Sequence, residues 1–369
     1  MTGVQTCALP ISLPGCTYYG NLYYTVTENG KEKRCELDGL LLFDTTVILI
    51  EAKAGTLSVP ARRGSISRLR KDISKLIDKP FEQCLRAHGY IKENNPSVFY
   101  DEKNKEICKV DRTRVNEVLL ITVTLDSLGP ISGDLNTVRR LGLASGSEWF
   151  WSVGIHDLRI ITELSEFPTQ LLHYLQRRIR INTQPEIKSI DEVDLFGVYL
   201  TDGLFFEDWE LQQMSMVSFN GYTDSIDDYY YRTEAGQQAT KPTQDISASF
   251  KSLILKIERT KKTGFSDVTV AMLDMDGVSR EEFAKQLDQR VADVEANGNL
   301  RDFTMLFDEL SRGISIMIVP TITVKRIKTA RDYCTKKQSE KSIRTWFCII
   351  VGVKDKAPGV DFFIQESVL

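Results

Sequence analysis

The sequence predicts an α/β (α+β) protein, with a mixed sheet flanked by helices, a helical middle region and a second small α/β domain. Three observations carry this. Apolar and β-branched runs bounded by turn residues recur at Tyr18–Glu28, Lys33–Phe43, Thr46–Ile50 and Val118–Leu125. Apolar spacing of three and four follows from His156 to Leu200. From Ile246 the pattern restarts as alternating helices and strands after a polar stretch.

Residues 1–11 stand apart. Thr2-Gly3-Val4-Gln5-Thr6-Cys7-Ala8-Leu9-Pro10-Ile11 coincides with the translation of a sequencing-library adapter. The segment is expected to be an assembly remnant and is set aside from the fold. The first domain is then expected over 12–155, beginning with a strand at Tyr18–Glu28. Asn29-Gly30 supplies the hairpin turn into Lys33–Phe43. Asp44-Thr45 reads as a second two-residue loop leading to Thr46–Ile50. After Gly55 and Pro60, a helix is expected from Ser65 to Ala87. Gly89–Lys109 is polar and turn-rich and reads as a loop or small insertion. Val118–Leu125 reads as a fully buried strand, and Ser147–Val153 as a short one.

Helices are expected at His156–Leu164, Phe167–Ile181 and Ile190–Leu200, within a helical region 156–222. Residues 223–245 lack apolar periodicity and read as a linker. The domain 246–369 is expected to hold helices at Ser247–Lys261, Ser279–Asn297 and Val324–Gln338. Its strands are expected at Val268–Leu273, Ile314–Val319 and Thr345–Val353. Asp274-Met275-Asp276-Gly277 lacks the companions of a phosphotransferase motif and reads as a turn and helix start.

Composition narrows the class. With 42% hydrophobic and 27% charged residues the chain is that of an ordinary globular protein. No apolar run approaches a membrane span, so no membrane partner is expected. The net charge of −4 argues against a chain-wide nucleic-acid coat but leaves room for a local basic surface. Cys16, Cys35, Cys84, Cys108, Cys334 and Cys348 form no CxxC pair, which suits a reducing, cytoplasmic setting. His88, His156 and His173 are far apart and read as structural.

The chemistry concentrates at Glu36-Leu37-Asp38-Gly39 and Ile50-Glu51-Ala52-Lys53. If Asp44-Thr45 sets the register, Asp38 lies opposite Glu51 and Glu36 opposite Lys53. Alternation then puts all four side chains on one face. Two carboxylates about 5 Å apart repel by roughly 3 kcal/mol at an effective dielectric of about 20. Lys53 offsets part of this, and a divalent cation offsets more. Carboxylate oxygens are the usual ligands of Mg²⁺, which keeps several waters and can activate one. A solvated hairpin edge fits less well, because both faces of the two strands are otherwise apolar.

These residues resemble the PD-(D/E)xK nuclease superfamily, in which an Asp precedes a Glu-x-Lys on the neighbouring strand. The string Glu-x-Asp-Gly-Leu-Leu…Ile-Glu-Ala-Lys is most similar to the restriction-endonuclease-like and nuclease-related-domain branches. The likeness spans about residues 18–125. It implies a restriction-endonuclease-like core and a Mg²⁺ (or Mn²⁺) held by Asp38 and Glu51, with the Ala52 carbonyl as a further ligand. Lys53 would orient or activate the attacking water. Gln83, in Pro80-Phe81-Glu82-Gln83, is similar to the Gln that such families place on the following helix. Glu36 is either a third metal ligand or the partner of Lys53. The family's helix ahead of the first strand, often the source of another acid, has no counterpart in Leu13–Gly20.

Arg62, Arg63, Arg68, Arg70, Lys71 and Lys75 follow the Glu-x-Lys strand directly, where a phosphate backbone would lie. Together these readings lead to a metal-dependent nuclease acting on DNA rather than RNA. The alternative is a non-catalytic nuclease-like module that binds nucleic acid or a partner. Metal dependence separates the two.

Overall fold

The computed structural model describes residues 9, 12–146, 148–189, 191–206, 216–307, 311–356 and 359–366. The chain forms two compact units, Met1–Gln244 and Asp245–Leu369.

The first unit is built on a mixed seven-stranded sheet with order β5-β4-β1-β2-β3-β6-β7. β1 (Thr17–Glu28), β2 (Lys31–Phe43) and β3 (Thr46–Lys53) form an antiparallel meander. Its turns use left-handed Asn29-Gly30 and Asp44, the conformations a two-residue hairpin requires. Leu40 faces Leu49 and Gly39 faces Ile50, which is the register the turn at Asp44-Thr45 predicts. β6 (Glu117–Thr124) and β7 (Trp151–Gly154) then add parallel to β3, so these three strands end on the same edge of the sheet. Their near-continuous apolar sequences fit strands covered on both faces.

One face is covered by α1 (Val59–Arg62), α2 (Ile66–Ile73) and α3 (Lys79–Glu93), whose Ile73, Phe81, Cys84, Ala87 and Ile91 pack among Leu40, Leu49, Leu120 and Phe150. The helix expected as one piece over Ser65–Ala87 is interrupted by a π turn at Ser74–Asp78. Pro80 has no N–H to donate and its ring crowds the carbonyl four residues back, so the helix widens just ahead of it. The segment expected as a loop or small insertion at Gly89–Lys109 holds the end of α3 and two short strands, β4 (Ser97–Tyr100) and, at the sheet edge, β5 (Glu106–Val110). Asp101 organises the turn between them by accepting from the N–H groups of Lys103 and Lys105.

Short helices α4 (Pro130–Gly133) and α5 (Leu135–Arg140) precede β7. After it come α6 (Ile155–Leu164), α7 (Pro168–Ile181), β8 (Ile187–Ser189), α8 (Glu192–Asp202) and β9 (Val217–Phe219). The expected strand from Ser147 is shorter, and Ser147 and Ile190 lie outside the described residues. The expected linker 223–245 contains a helix, α9 (Asp224–Glu234). Acidic residues in its first turn, the Arg232–Asp228 pair and a single buried anchor, Ile226, support it without an apolar stripe.

The second unit is an α/β layer. Its sheet has order β10-β11-β12-β13, from β10 (Arg301–Phe307), β11 (Arg312–Val319), β12 (Thr345–Gly352) and β13 (Val360–Glu366). α10 (Ala248–Thr260), α11 (Phe265–Leu273), α12 (Gly277–Asn297) and α13 (Val324–Lys341) accompany it. Val268–Leu273, expected as a strand, is helical and buried along its length. A short apolar run carries no periodicity that separates a buried helix from a strand, and left-handed Gly264 starts a helix here. Asp276 caps α12 by accepting from the Ser279 N–H, so Asp274–Gly277 is the expected turn.

Candidate active site

The site lies where β2 and β3 run past their last paired residues. The β2–β3 ladder ends at Gly39 and Ile50, and beyond it side chains take over the backbone groups. The Asp38 N–H donates to Glu51 Oε1 at 3.3 Å, and the Ala52 N–H donates to Asp38 Oδ2 at 2.8 Å. Lys53 Nζ is 3.0 Å from Glu51 Oε2 and 3.9 Å from Asp38 Oδ2. Asp38, Glu51 and Lys53 are therefore one cluster, with exposure graded from its floor to its mouth. The Glu51 side chain is 0% exposed, Asp38 25% and Lys53 28%.

The electrostatics follow from that grading. Burial, and then the neighbouring Asp38 charge, push the Glu51 carboxyl up to about 8 despite the ammonium of Lys53. The desolvation of Glu51 thus outweighs its ion pair. Cys84 on α3 lies just beneath, its thiol directed at the carbonyls of Leu49 and Ile121. Burial raises this thiol well above its ordinary range, with Glu51 and Asp38 adding to the shift. Such a thiol is a core group rather than a nucleophile.

Glu36 does not join the cluster. Cys35, Leu37 and Leu40 all belong to the core beneath α3, so strict alternation breaks between Leu37 and Leu40. Asn21, opposite Asp38, is left-handed at φ 52° and the two form no ladder pair. Glu36 consequently turns to solvent, where Tyr23 Oη donates to its Oε1 at 3.3 Å. Gln83 is half-buried on α3, one residue before Cys84. Arg62, Arg63, Arg68, Arg70, Lys71 and Lys75 lie on or between α1, α2 and the π turn; Arg62, Arg63, Arg68 and Lys71 are among the solvent-facing ones, and Arg62 pairs with Asp126 just past β6.

Sequence reasoning missed the continuation of the site across the sheet. Thr122 on β6 pairs with Glu51, and Ser152 on β7 pairs with Thr122. Both side chains are buried, and neither hydroxyl has a hydrogen-bond partner among the described residues. The Tyr24 hydroxyl on β1 is in the same condition. The available signal was the pair Thr122 and Thr124 alternating with Ile121 and Val123 in a strand otherwise apolar.

Among the described residues no three His, Cys, Asp or Glu side chains come together as a ligand cage. The oxygen donors of the cluster are the two carboxylates of Asp38 and Glu51, with Lys53 as its one cation. Among the described residues no helix is long and apolar enough to cross a membrane.

No family model and no curated protein matches the chain. Among solved structures, the crystal structure of protein VC1899 from Vibrio cholerae is similar over 47% of this chain and 32% of that one, at 11% identity and a TM-score of 0.22. The chain thus spans about a third of that protein's length, and a likeness this slight carries no argument.

Proposed function

We propose that the chain is a metal-dependent nuclease that hydrolyses phosphodiester bonds in DNA. The observation that carries the reading is the fully buried carboxylate of Glu51 held against Asp38 and Lys53. Burial of Glu51 beside a second acid disfavours its charge even with Lys53 at hand, and a divalent cation would offset more of that cost. Asp38 and Glu51 would hold Mg²⁺ or Mn²⁺, with the Ala52 carbonyl as a candidate further ligand. The bound ion would supply Lewis acidity at the phosphate and ease ionisation of a water.

The chain's own residues do the rest. Lys53, at the mouth of the cluster, places positive charge where the pentacovalent phosphate gathers negative charge. The arginines and lysines of α1 and α2 attract the phosphate backbone and position it without reading sequence. Gln83 is assigned to orient water or phosphate from α3.

A second reading, a nuclease-like module that only binds, draws on the ion pair Lys53 already makes with Glu51. Incubation with plasmid, linear duplex and single-stranded DNA in Mg²⁺, Mn²⁺ or EDTA separates the two. The nuclease reading expects scission in metal alone, lost in Asp38→Ala and Glu51→Ala. Binding without scission in every metal favours the module, and wild-type cleavage by either variant contradicts the site.

A further inference from the structure

α13 carries seven Lys and Arg against two acids, Asp332 and Glu340, while the rest of the second unit holds more acids than bases. The helix covers one face of the sheet, where its Ala330 and Cys334 pack with Trp346, Cys348 and Ile350 of β12. Five of the seven cations are exposed, so the two acids leave the outer surface of the helix net positive. Lys325, Lys328 and Lys336 are among them and fall on the side opposite Cys334, at about 3.6 residues per turn. Of these three, only Lys336 makes an ion pair among the described residues, at 3.7 Å from Glu340.

Helix stability does not favour this arrangement. Lys325 and Arg326 stand in the first turn, which holds no acid, so they oppose the positive end of the helix dipole. Lys325 and Lys328 are three residues apart, a spacing at which like charges repel. A helix that only covered the sheet would do better with acids in that turn. The outer side also lacks what other partners need. Val324 apart, it holds no large apolar side chain to anchor a protein or enter a lipid layer. It offers no free ring for a base to stack on, since Tyr333 is half-buried at the flank with the Lys337 ammonium 5.6 Å from its ring. From Lys325 to Lys336 the cations span about 16 Å along the axis, close to the rise of about five base pairs.

We propose that the outer side of α13 is a second DNA surface, which binds the phosphate backbone of a duplex without reading its sequence. The assignment rests on DNA as the partner of this chain and adds a contact on the second unit. Lys325, Lys328 and Lys336 each bring an ammonium to phosphate oxygens and release the counterions held there. None of them belongs to the carboxylate cluster, so the surface sets how tightly DNA is held and leaves the chemical step alone.

The test is fluorescence anisotropy of a labelled DNA duplex with the full chain in EDTA, across a range of salt concentrations. One variant combines Lys325→Gln, Lys328→Gln and Lys336→Gln, and a second changes the same three lysines to Arg. The Gln variant is expected to bind about tenfold more weakly at low salt, with the slope of log affinity against log salt smaller by about 0.9 for each lost contact. It should melt at or above the wild-type temperature, and the Arg variant should keep wild-type affinity and slope. Wild-type affinity and slope in the Gln variant overturn the proposal while leaving DNA as the partner. Weak binding by both variants with lowered melting temperatures assigns the lysines to folding and also overturns it. So does tighter wild-type binding to single-stranded DNA or to phosphatidylserine vesicles, if the Gln variant loses it. A wild-type chain that binds no duplex at any salt concentration removes the DNA reading itself.

Discussion

The N–H of Ala52 donates to the Asp38 carboxylate at 2.8 Å, so the residue between Glu51 and Lys53 is tied to the acid on the facing strand. This bond and the one from the Asp38 N–H to Glu51 continue the β2–β3 pairing past the last ladder pair. Position and chemistry are thereby coupled, since the acid that would bind metal also closes the strand end.

That coupling separates two substitutions of one residue. Asp38→Asn keeps an oxygen for the Ala52 N–H and should fold with near wild-type stability, while losing cleavage. Asp38→Ala leaves that N–H without its partner and should cost a further 1–2 kcal/mol or so. Urea unfolding of both variants beside a plasmid-cleavage assay checks the pair. Equal stability of the two would contradict the closing role.

Glu51 sets a pH dependence in metal-free protein. Its carboxyl is raised from 4.5 to about 8, so between those values the folded state keeps a proton that the unfolded chain has released. Stability is then full below about pH 4.5 and falls as pH rises through 8. At about 1.4 kcal/mol per pH unit the fall is on the order of 5 kcal/mol at most. Denaturation in EDTA at pH 5, 7 and 9 should show the decline, and Glu51→Gln should flatten it.

The basic surface predicts salt dependence. Arg68, Arg70 and Lys71 lie on α2, beyond the residues that close the site. Changing all three to Ala should weaken DNA binding uniformly across sequences. The slope of log affinity against log salt should fall by about 0.9 for each phosphate left without its cation. Fluorescence anisotropy across a range of salt concentrations is the measurement, and an unchanged slope would place the DNA elsewhere.

Behind β7 a buried charge pair fixes the helices. Arg178 Nε is 2.8 Å from Glu192 Oε1, which also accepts from Trp151 Nε1 and Tyr174 Oη at 2.7 Å each. Arg178→Met leaves Glu192 with those two donors and an unbalanced charge. The expected loss is about 3–5 kcal/mol, read as an earlier urea midpoint.

Much of the carboxylate site was legible because a two-residue turn fixes register, and register fixes which residues meet. Asp38, Glu51 and Lys53 come together for that reason. Glu36 was misplaced because alternation was carried through Asp38-Gly39, where the strand turns its other side to the core. Thr122 and Ser152 could not be matched to Glu51 from sequence, since pairing between parallel strands is set by helices and loops far along the chain. Val268–Leu273 failed for another reason, as six buried residues show the same pattern in a strand and in a helix. The π turn ahead of Pro80 shows that a continuous helical pattern does not reveal where the helix must widen.

Whether Asp38 and Glu51 hold a divalent cation is decided by titration of Mn²⁺ into the full chain and its Glu51→Ala variant. One saturable site is expected in the wild type and none in the variant, with both folded by circular dichroism. Equal binding by both proteins, or none by the wild type, would contradict the metal site.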